Sequence, residues 1–276
     1  MNKSFITITS LKDERLGSQM SNFTMLFLIA QETKHTVGIY NNYLNIGHGQ
    51  KLITETFDIP IQIIPDDLIH NTSPLYWDIT SNINLPKQDD MFELDSNTSY
   101  NVHTGLIHYN YLYFLDLQKL NYLRHHIFCF NNQIKEQGQH YFNNIKLPNK
   151  KIVSMHVRRT DHCTLSPEYQ HEAIKLFNPT EYSILILSDD INFCKAEFMT
   201  DLEEYDAVFS ENTSTIDMYL MTLCDANIIA DSTFSFWGAL LNNSEREMVM
   251  PRSILPHIMD IEAVLYPLKK FTTLKW

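Results

Sequence analysis

The chain has 276 residues, 44% hydrophobic and 12% aromatic, and a formal net charge of −12. That length holds two lobes of ordinary domain size, and that composition supports a folded core. The acidic balance argues against nucleic acid or an anionic membrane surface as the main partner, since either selects a basic face, but it leaves room for a small anion in a local basic pocket.

In chain order, residues 5–9 alternate apolar and β-branched polar side chains and read as a strand, with no apolar stretch of signal-peptide length. Residues 16–33, rich in Met, Phe, Leu and Ile, read as a helix, and residues 36–40 as the next strand. From 41 to 150 the pattern weakens. Residues 61–64 suit a strand, 71–101 look irregular, and 109–130 suit one or two aromatic-rich helices.

The second half reads more clearly. Strands are expected at 151–157, 182–188, 207–210, 227–230 and 247–250. Helices are expected at 167–177 and 191–199, from Ser214 or Thr215 as cap, and from 234 to 241. Apolar strands alternating with helices imply a parallel sheet covered on both faces. Two Rossmann-like lobes with a cleft between them form the simplest α/β architecture. The boundary is expected at 150/151, giving an N-terminal lobe of 1–150 on the acceptor side and a C-terminal lobe of 151–276.

Ligands of such sheets bind beyond the carboxyl ends of the strands, which selects three loops: 158–166, 188–190 and 231–235. Only six of the 21 basic residues are arginine, yet Arg158 and Arg159 are adjacent just past a strand end. Arginine in a lysine-preferring chain points to planar, bidentate phosphate recognition, with a structural salt bridge as the plain alternative. His156 shares a strand face with Arg158, and Asp161 stands in the loop, able to orient an arginine or accept a proton. Ser188-Asp189-Asp190 suits base recognition, a metal-binding acidic pair, or simple capping by Asp190. Asp231-Ser232-Thr233-Phe234-Ser235 ends a strand and opens a helix, where backbone N–H groups and hydroxyls suit a phosphate or merely a cap.

Absences narrow the field. Seven glycines form neither a dinucleotide-binding turn nor a P-loop, and no zinc-protease or serine-hydrolase signature occurs. Cys129, Cys163, Cys194 and Cys224 lack metal-ligand spacing and read as reduced thiols, so the sequons at Asn71 and Asn97 read as accidental. No segment approaches the ~20 apolar residues of a membrane helix. A cytoplasmic protein is expected, with peripheral contact at the inner face of the membrane left open.

His156-Val-Arg-Arg-Thr-Asp161 resembles the His-x-Arg-Arg-x-Asp motif shared by α-1,2-, α-1,6- and related fucosyltransferases. Two further segments resemble the α-1,2 group, glycosyltransferase family 11. Asp231-Ser-Thr-Phe-Ser-Phe-Trp-Gly-Ala239 is similar to its Asn-Ser-Ser-Phe-Ser-Trp-Trp-Gly-Ala, and Arg15-Leu-Gly-Ser-Gln-Met20 to its Gly-Leu-Gly-Asn-Gln-Met. Asp217-Met-Tyr-Leu-Met221 is similar to its Asp-Leu-Tyr-Leu-Met.

The resemblance implies a GT-B-like fold and inverting transfer of L-fucose from GDP-β-L-fucose to a galactose hydroxyl, with α-1,2 linkage and no metal or other cofactor. The acceptor implied is a galactose-containing glycan, such as a unit of O-antigen or another surface polysaccharide. Arg158 would hold the β-phosphate with Arg159 in support, and His156 and Asp190 would contact the guanosine end. Ser232, Thr233, Phe234 and Ser235 would close on the pyrophosphate and fucose. Gly17 and Gln19 would line the cleft from the first lobe. Asp161 is the first candidate for catalytic base, ahead of Glu168. Transfer in α-1,3 or α-1,6 linkage, and a nucleotide-sugar-binding protein without turnover, are the alternatives; an NAD-dependent oxidoreductase is disfavoured by the missing glycine turn.

Overall fold

A computed structural model describes residues 4–8, 15–40, 53–59, 61–77, 94–104, 112, 114–160, 165–254 and 264–276. The chain divides into two compact units, Met1–Cys129 and Phe130–Trp276.

In the first unit β1 (Phe5–Ile8) is buried at every position. It leads to α1 (Leu16–Thr33), of whose 18 residues fourteen are buried. A helix this apolar on all sides belongs inside. Two of its buried hydroxyls bond locally, those of Ser21 and Thr33 donating to the Gly17 and Ile29 carbonyls. Then come β2 (Thr36–Tyr40), the short α2 (Ile53–Thr56), β3 (Gln62–Ile64), a 3-10 turn, β4 (Ser73–Trp77) and β5 (Tyr100–Thr104). Last is α3 (Leu117–Tyr122), which runs on as a π-helical turn, Leu123–Ile127. The strand order is β3-β2-β1-β5-β4, and all neighbours are parallel. β4 and β5 correct the expectation of irregular structure across 71–101. Pro74 disguised β4, and it is tolerated because β4 is an edge strand.

The second unit begins with α4 (Asn132–Ile145), capped by Asn131, whose side chain accepts from the Ile134 N–H at 2.9 Å. It continues through β6 (Lys151–Val157), α5 (Pro167–Ile174), β7 (Tyr182–Ser188), α6 (Ile191–Leu202) and β8 (Val208–Phe209). It closes with α7 (Ser214–Leu223), β9 (Ala226–Ile228), α8 (Thr233–Leu241), β10 (Glu247–Pro251) and β11 (Phe271–Leu274). The expected boundary at 150/151 lies inside this unit, because α4 packs on α7: a Cβ on Gly138 would stand 2.4 Å from the Tyr219 ring. The cap of α7 is Thr213, one residue ahead of Ser214 and two ahead of Thr215, the expected caps.

Six parallel strands run in the order β11-β10-β9-β6-β7-β8. From β6 the chain builds outward through β7 and β8, then crosses over to build β9, β10 and β11 on the other side. Adjacent connections therefore diverge at the carboxyl ends of β6 and β9, the topological switch point where such sheets bind ligands. Two buried polar features tie the helices to this sheet. The Tyr169 hydroxyl, on α5, donates to the backbone carbonyls of Ile229 and Val249. Asn227 and Asn242 form a satisfied polar cluster: Asn227 donates to the Ser154 hydroxyl and the Met221 carbonyl, and Asn242 donates to the Met221 and Cys224 carbonyls and to the Asn227 side-chain oxygen.

Candidate nucleotide-sugar site

β6 delivers His156 and Arg158 to the switch point. His156 is 4% exposed, and its ring packs against that of Phe234, in the first turn of α8, at 5.1 Å between centroids. Burial pushes the imidazole down to about 4, with the Arg158 charge adding to the effect and the Asp189 charge opposing it. The ring is therefore neutral at physiological pH. Its Nδ1 is buried with no hydrogen-bond partner among the described residues. A buried polar atom left so calls for an explanation, and a ligand is one.

On the opposite side of β6, its register with β7 pairs Val157 with Ser188, so the two strand ends are level. The Ser188 hydroxyl donates to the Val157 carbonyl at 2.8 Å, fastening them. This brings Asp189 against the arginine loop. The Arg158 guanidinium meets the Asp189 carboxylate at 2.9 Å, with side-chain exposures of 13% and 19%. Asp189 also accepts from the backbone N–H groups of Arg159 and Thr160 and from the Thr160 hydroxyl. Burial raises its pKa, but the Thr160 and Arg159 hydrogen bonds and the Arg158 charge outweigh that, leaving it below the usual carboxylate range. The Arg159 guanidinium lies over the Phe193 ring of α6, 3.8 Å from its centroid. Asp190 caps α6, accepting from the Phe193 N–H at 3.0 Å.

The third loop opens α8. Ser232 is its extended N-cap, and its hydroxyl makes no capping bond. Ser235 is fully buried, and its hydroxyl is turned to the backbone of Ala230 and Ser232. That hydroxyl shapes the turn rather than facing a ligand. What the helix start offers is backbone: the first helical bond runs from the Phe236 N–H to the Ser232 carbonyl, and the N–H groups of residues 233–235 precede it. A helix N-terminus with such donors favours an anion.

The structure thus gathers His156, Arg158, Arg159, Asp190 and Ser232 to Ser235 along one edge of the second unit. Asp161 lies outside the described residues. Glu168 is exposed in the first turn of α5. Gly17 and Gln19 belong to the first unit, where both are buried in α1; the Gln19 side chain accepts from the Ile53 N–H at 3.1 Å and so staples α1 to α2. Sequence reasoning weighed the loop of Asp189 for base recognition or as a metal-binding acidic pair, not as the partner of an arginine. Its partnership with residues 158–160 depends on β7 lying beside β6, which no local pattern announces.

A parallel sheet in this order, with its arginine loop and a helix N-terminus at the switch point, defines a Rossmann-like α/β lobe with a candidate anion site. Together with the first unit's parallel sheet it gives the two Rossmann-like lobes of a GT-B-like protein. Solved fucosyltransferases have this fold. The α-1,6-fucosyltransferase NodZ, co-crystallised with GDP, aligns at a TM-score of 0.56 and 15% identity over 88% of this chain and 93% of its own. POFUT1 in complex with GDP aligns at 0.55 and 11% identity over 90% and 98%.

The profile of glycosyl transferase family 11 matches residues 7–255, and the chain belongs to that family. The O-antigen biosynthesis glycosyltransferase WbnK of Escherichia coli is 34% identical over 124 residues, 40% of this chain and 41% of that protein. An α-1,2-colitosyltransferase of E. coli is 33% identical over 106 residues, 33% and 36% of the two chains. A galactoside α-(1,2)-fucosyltransferase 2 of Oryctolagus cuniculus is 24% identical over 147 residues, 45% and 41%. The chain aligns with about two fifths of the length of these relatives. Among the described residues no helix is long and apolar enough to cross a membrane.

Proposed function

We propose that this protein is an inverting fucosyltransferase that moves L-fucose from GDP-β-L-fucose to a galactose hydroxyl of a glycan acceptor, in α-1,2 linkage and without a metal. The observation that carries the reading is the β6 end itself. Arg158 stands there beside a neutral, buried His156 whose ring packs on the N-terminal turn of α8. Family membership supports the reaction class, and the α-1,2 relatives support the linkage.

In this reading the anomeric C–O bond of the donor stretches toward an oxocarbenium ion as GDP departs. Arg158 and the N–H groups opening α8 stabilise the charge growing on the diphosphate, a preorganised electrostatic effect. His156 and Asp190 serve the guanosine end, where the unpartnered Nδ1 of His156 would gain a partner. Arg159 braces the loop from its place over Phe193. Asp161 takes the acceptor proton as the new bond forms, with Glu168 as the reserve candidate. The first unit serves as the acceptor side.

Incubation with GDP-fucose and galactose-terminated oligosaccharides, followed by determination of the product linkage by NMR, tests the proposal. An α-1,2-fucosylated product is expected. An α-1,3 or α-1,6 product overturns the linkage, and release of neither GDP nor product overturns the transferase reading. The similarity to an α-1,2-colitosyltransferase favours one second reading, in which the linkage stays and the transferred sugar is colitose. A colitose donor run in parallel with GDP-fucose separates the two.

A further inference from the structure

We propose that Asp189 is the positioning residue for the leaving-group arginine, orienting the Arg158 guanidinium and the loop that carries it without touching the donor. The proposal rests on the GDP-sugar reading and adds to it a residue with its own role. One carboxylate, on the β7 loop, receives donors from three consecutive residues of the β6 loop. Its Oδ1 accepts the Arg159 N–H at 2.8 Å. Its Oδ2 accepts from Arg158 Nη1 at 2.9 Å, the Thr160 hydroxyl at 2.6 Å and the Thr160 N–H at 3.3 Å.

Each part of that contact set constrains a different freedom. The two backbone bonds fix the direction of the chain as it leaves β6. The Thr160 hydroxyl bond fixes the rotation of the carboxylate. The bond to Nη1 then fixes the plane of the guanidinium, whose five donors have a rigid fork geometry. The carboxylate is itself anchored, because the Ser188 hydroxyl accepts from the Asp190 N–H and donates to the Val157 carbonyl on either side of the loop junction.

Electrostatics set the expected signature. A negative charge against Arg158 opposes the binding of a diphosphate, so it cannot be there to strengthen ground-state affinity. What it supplies is orientation, realised as charge develops on the departing group, and such an interaction appears in kcat more than in binding. A merely structural ion pair would act differently: its loss would lower stability, and nucleotide affinity and turnover would fall together.

The test is Asp189→Asn in the full chain, which keeps the side chain's size and removes its charge. Transfer is read with GDP-fucose and a galactose-terminated acceptor, and binding is read calorimetrically with GDP. We expect kcat to fall by about 30-fold while GDP binds as tightly as to wild type or more tightly. In an Arg158→Lys background, where the planar fork is already gone, the same change should cost less than about threefold. Equal losses in both backgrounds, unchanged turnover, or joint loss of affinity, turnover and thermal stability would each overturn the proposal. If Asp189→Asn does not fold, Thr160→Val removes one donor to the same carboxylate and should lower kcat by about three- to tenfold with GDP affinity retained; unchanged kcat overturns it. A wild-type chain that neither binds GDP nor transfers fucose fails one step earlier, at the GDP-sugar reading, and takes the role of Asp189 with it.

Discussion

Arg158 and Asp217 show how much one side chain can decide in this lobe. Arg158→Ala should cost about 3 kcal/mol or more of transition-state stabilisation, at least about 100-fold in kcat/KM, with little loss of stability. Asp189 would still receive the Arg159 and Thr160 donors, so the loop keeps most of its fastening. Steady-state kinetics alongside thermal unfolding check both halves, and full activity would remove the phosphate role. Asp217, on α7, is buried, and its carboxylate accepts from the Ser210 hydroxyl at 2.5 Å. Burial raises its pKa to about 7, against the lowering effect of that hydrogen bond. Tyr141 also meets Ser210, and Asp217 and Glu211 help hold the Tyr141 hydroxyl protonated after the larger effect of burial. Because the folded pKa of Asp217 exceeds the unfolded one, the folded state binds the extra proton, so this contribution to stability is complete below about pH 4 and is lost as pH rises through about 7. Asp217→Asn mimics the neutral acid. Its Tm should match wild type near pH 4 and exceed it by about 3 °C or more at pH 8. A difference independent of pH would show that Asp217 does not titrate as its burial requires.

At the level of elements, helix contacts depend on missing side chains. Gly138 of α4 lies against the Tyr219 ring, which is itself held edge-on by Phe130 at 5.1 Å. A ring so confined cannot retreat far. Gly138→Ala gains up to about 1 kcal/mol of helix propensity but overpacks this contact by about 1–3 kcal/mol, so a net loss of roughly 1 kcal/mol is expected in chemical denaturation. A stabilised variant would show that α4 shifts freely on α7. Gly238 serves the same purpose within the family-like Trp-Gly-Ala segment, since a Cβ there would stand 2.6 Å from the Met221 sulfur. Such contacts explain which elements the sequence revealed. β7 is centred on a continuous apolar run and α1 is rich in Met, Phe, Leu and Ile, so both were legible from composition alone, α1 to both of its ends. α4 went unread although Ile134, Gly138 and Phe142, its buried residues, recur every four positions. Its apolar face is narrow and one of its three members has no side chain, so the period was present but faint. β11 is only partly buried throughout and has no apolar run to betray it. Of the site, the arginine loop was legible as motif chemistry. The partner of Arg158 was not, because Asp189 reaches it through strand adjacency rather than spacing.

For the whole molecule, the charge poses the question of how an acidic protein would hold the proposed diphosphate. A net charge of −12 produces a long-range field that repels a nucleoside diphosphate, while the contacts that would hold it are local. Arg158 is 13% exposed, and the donors at the start of α8 are backbone dipoles fixed by the fold. Salt acts on these two parts in opposite directions. Raising ionic strength shortens the screening length from about 14 Å near 50 mM to about 6 Å near 300 mM, which removes the distant repulsion first. It also weakens the local attraction, but less, because a partly buried arginine and a helix terminus are poorly reached by counterions. The two effects largely cancel, so the Kd for GDP should change by less than about threefold between those salt concentrations. Isothermal titration of the full chain at four or five concentrations of NaCl measures this directly. A steep weakening, tenfold or more, would mean that affinity comes from a diffuse field of exposed lysines, and the assignment of the diphosphate to the β6 and α8 ends would fall with it.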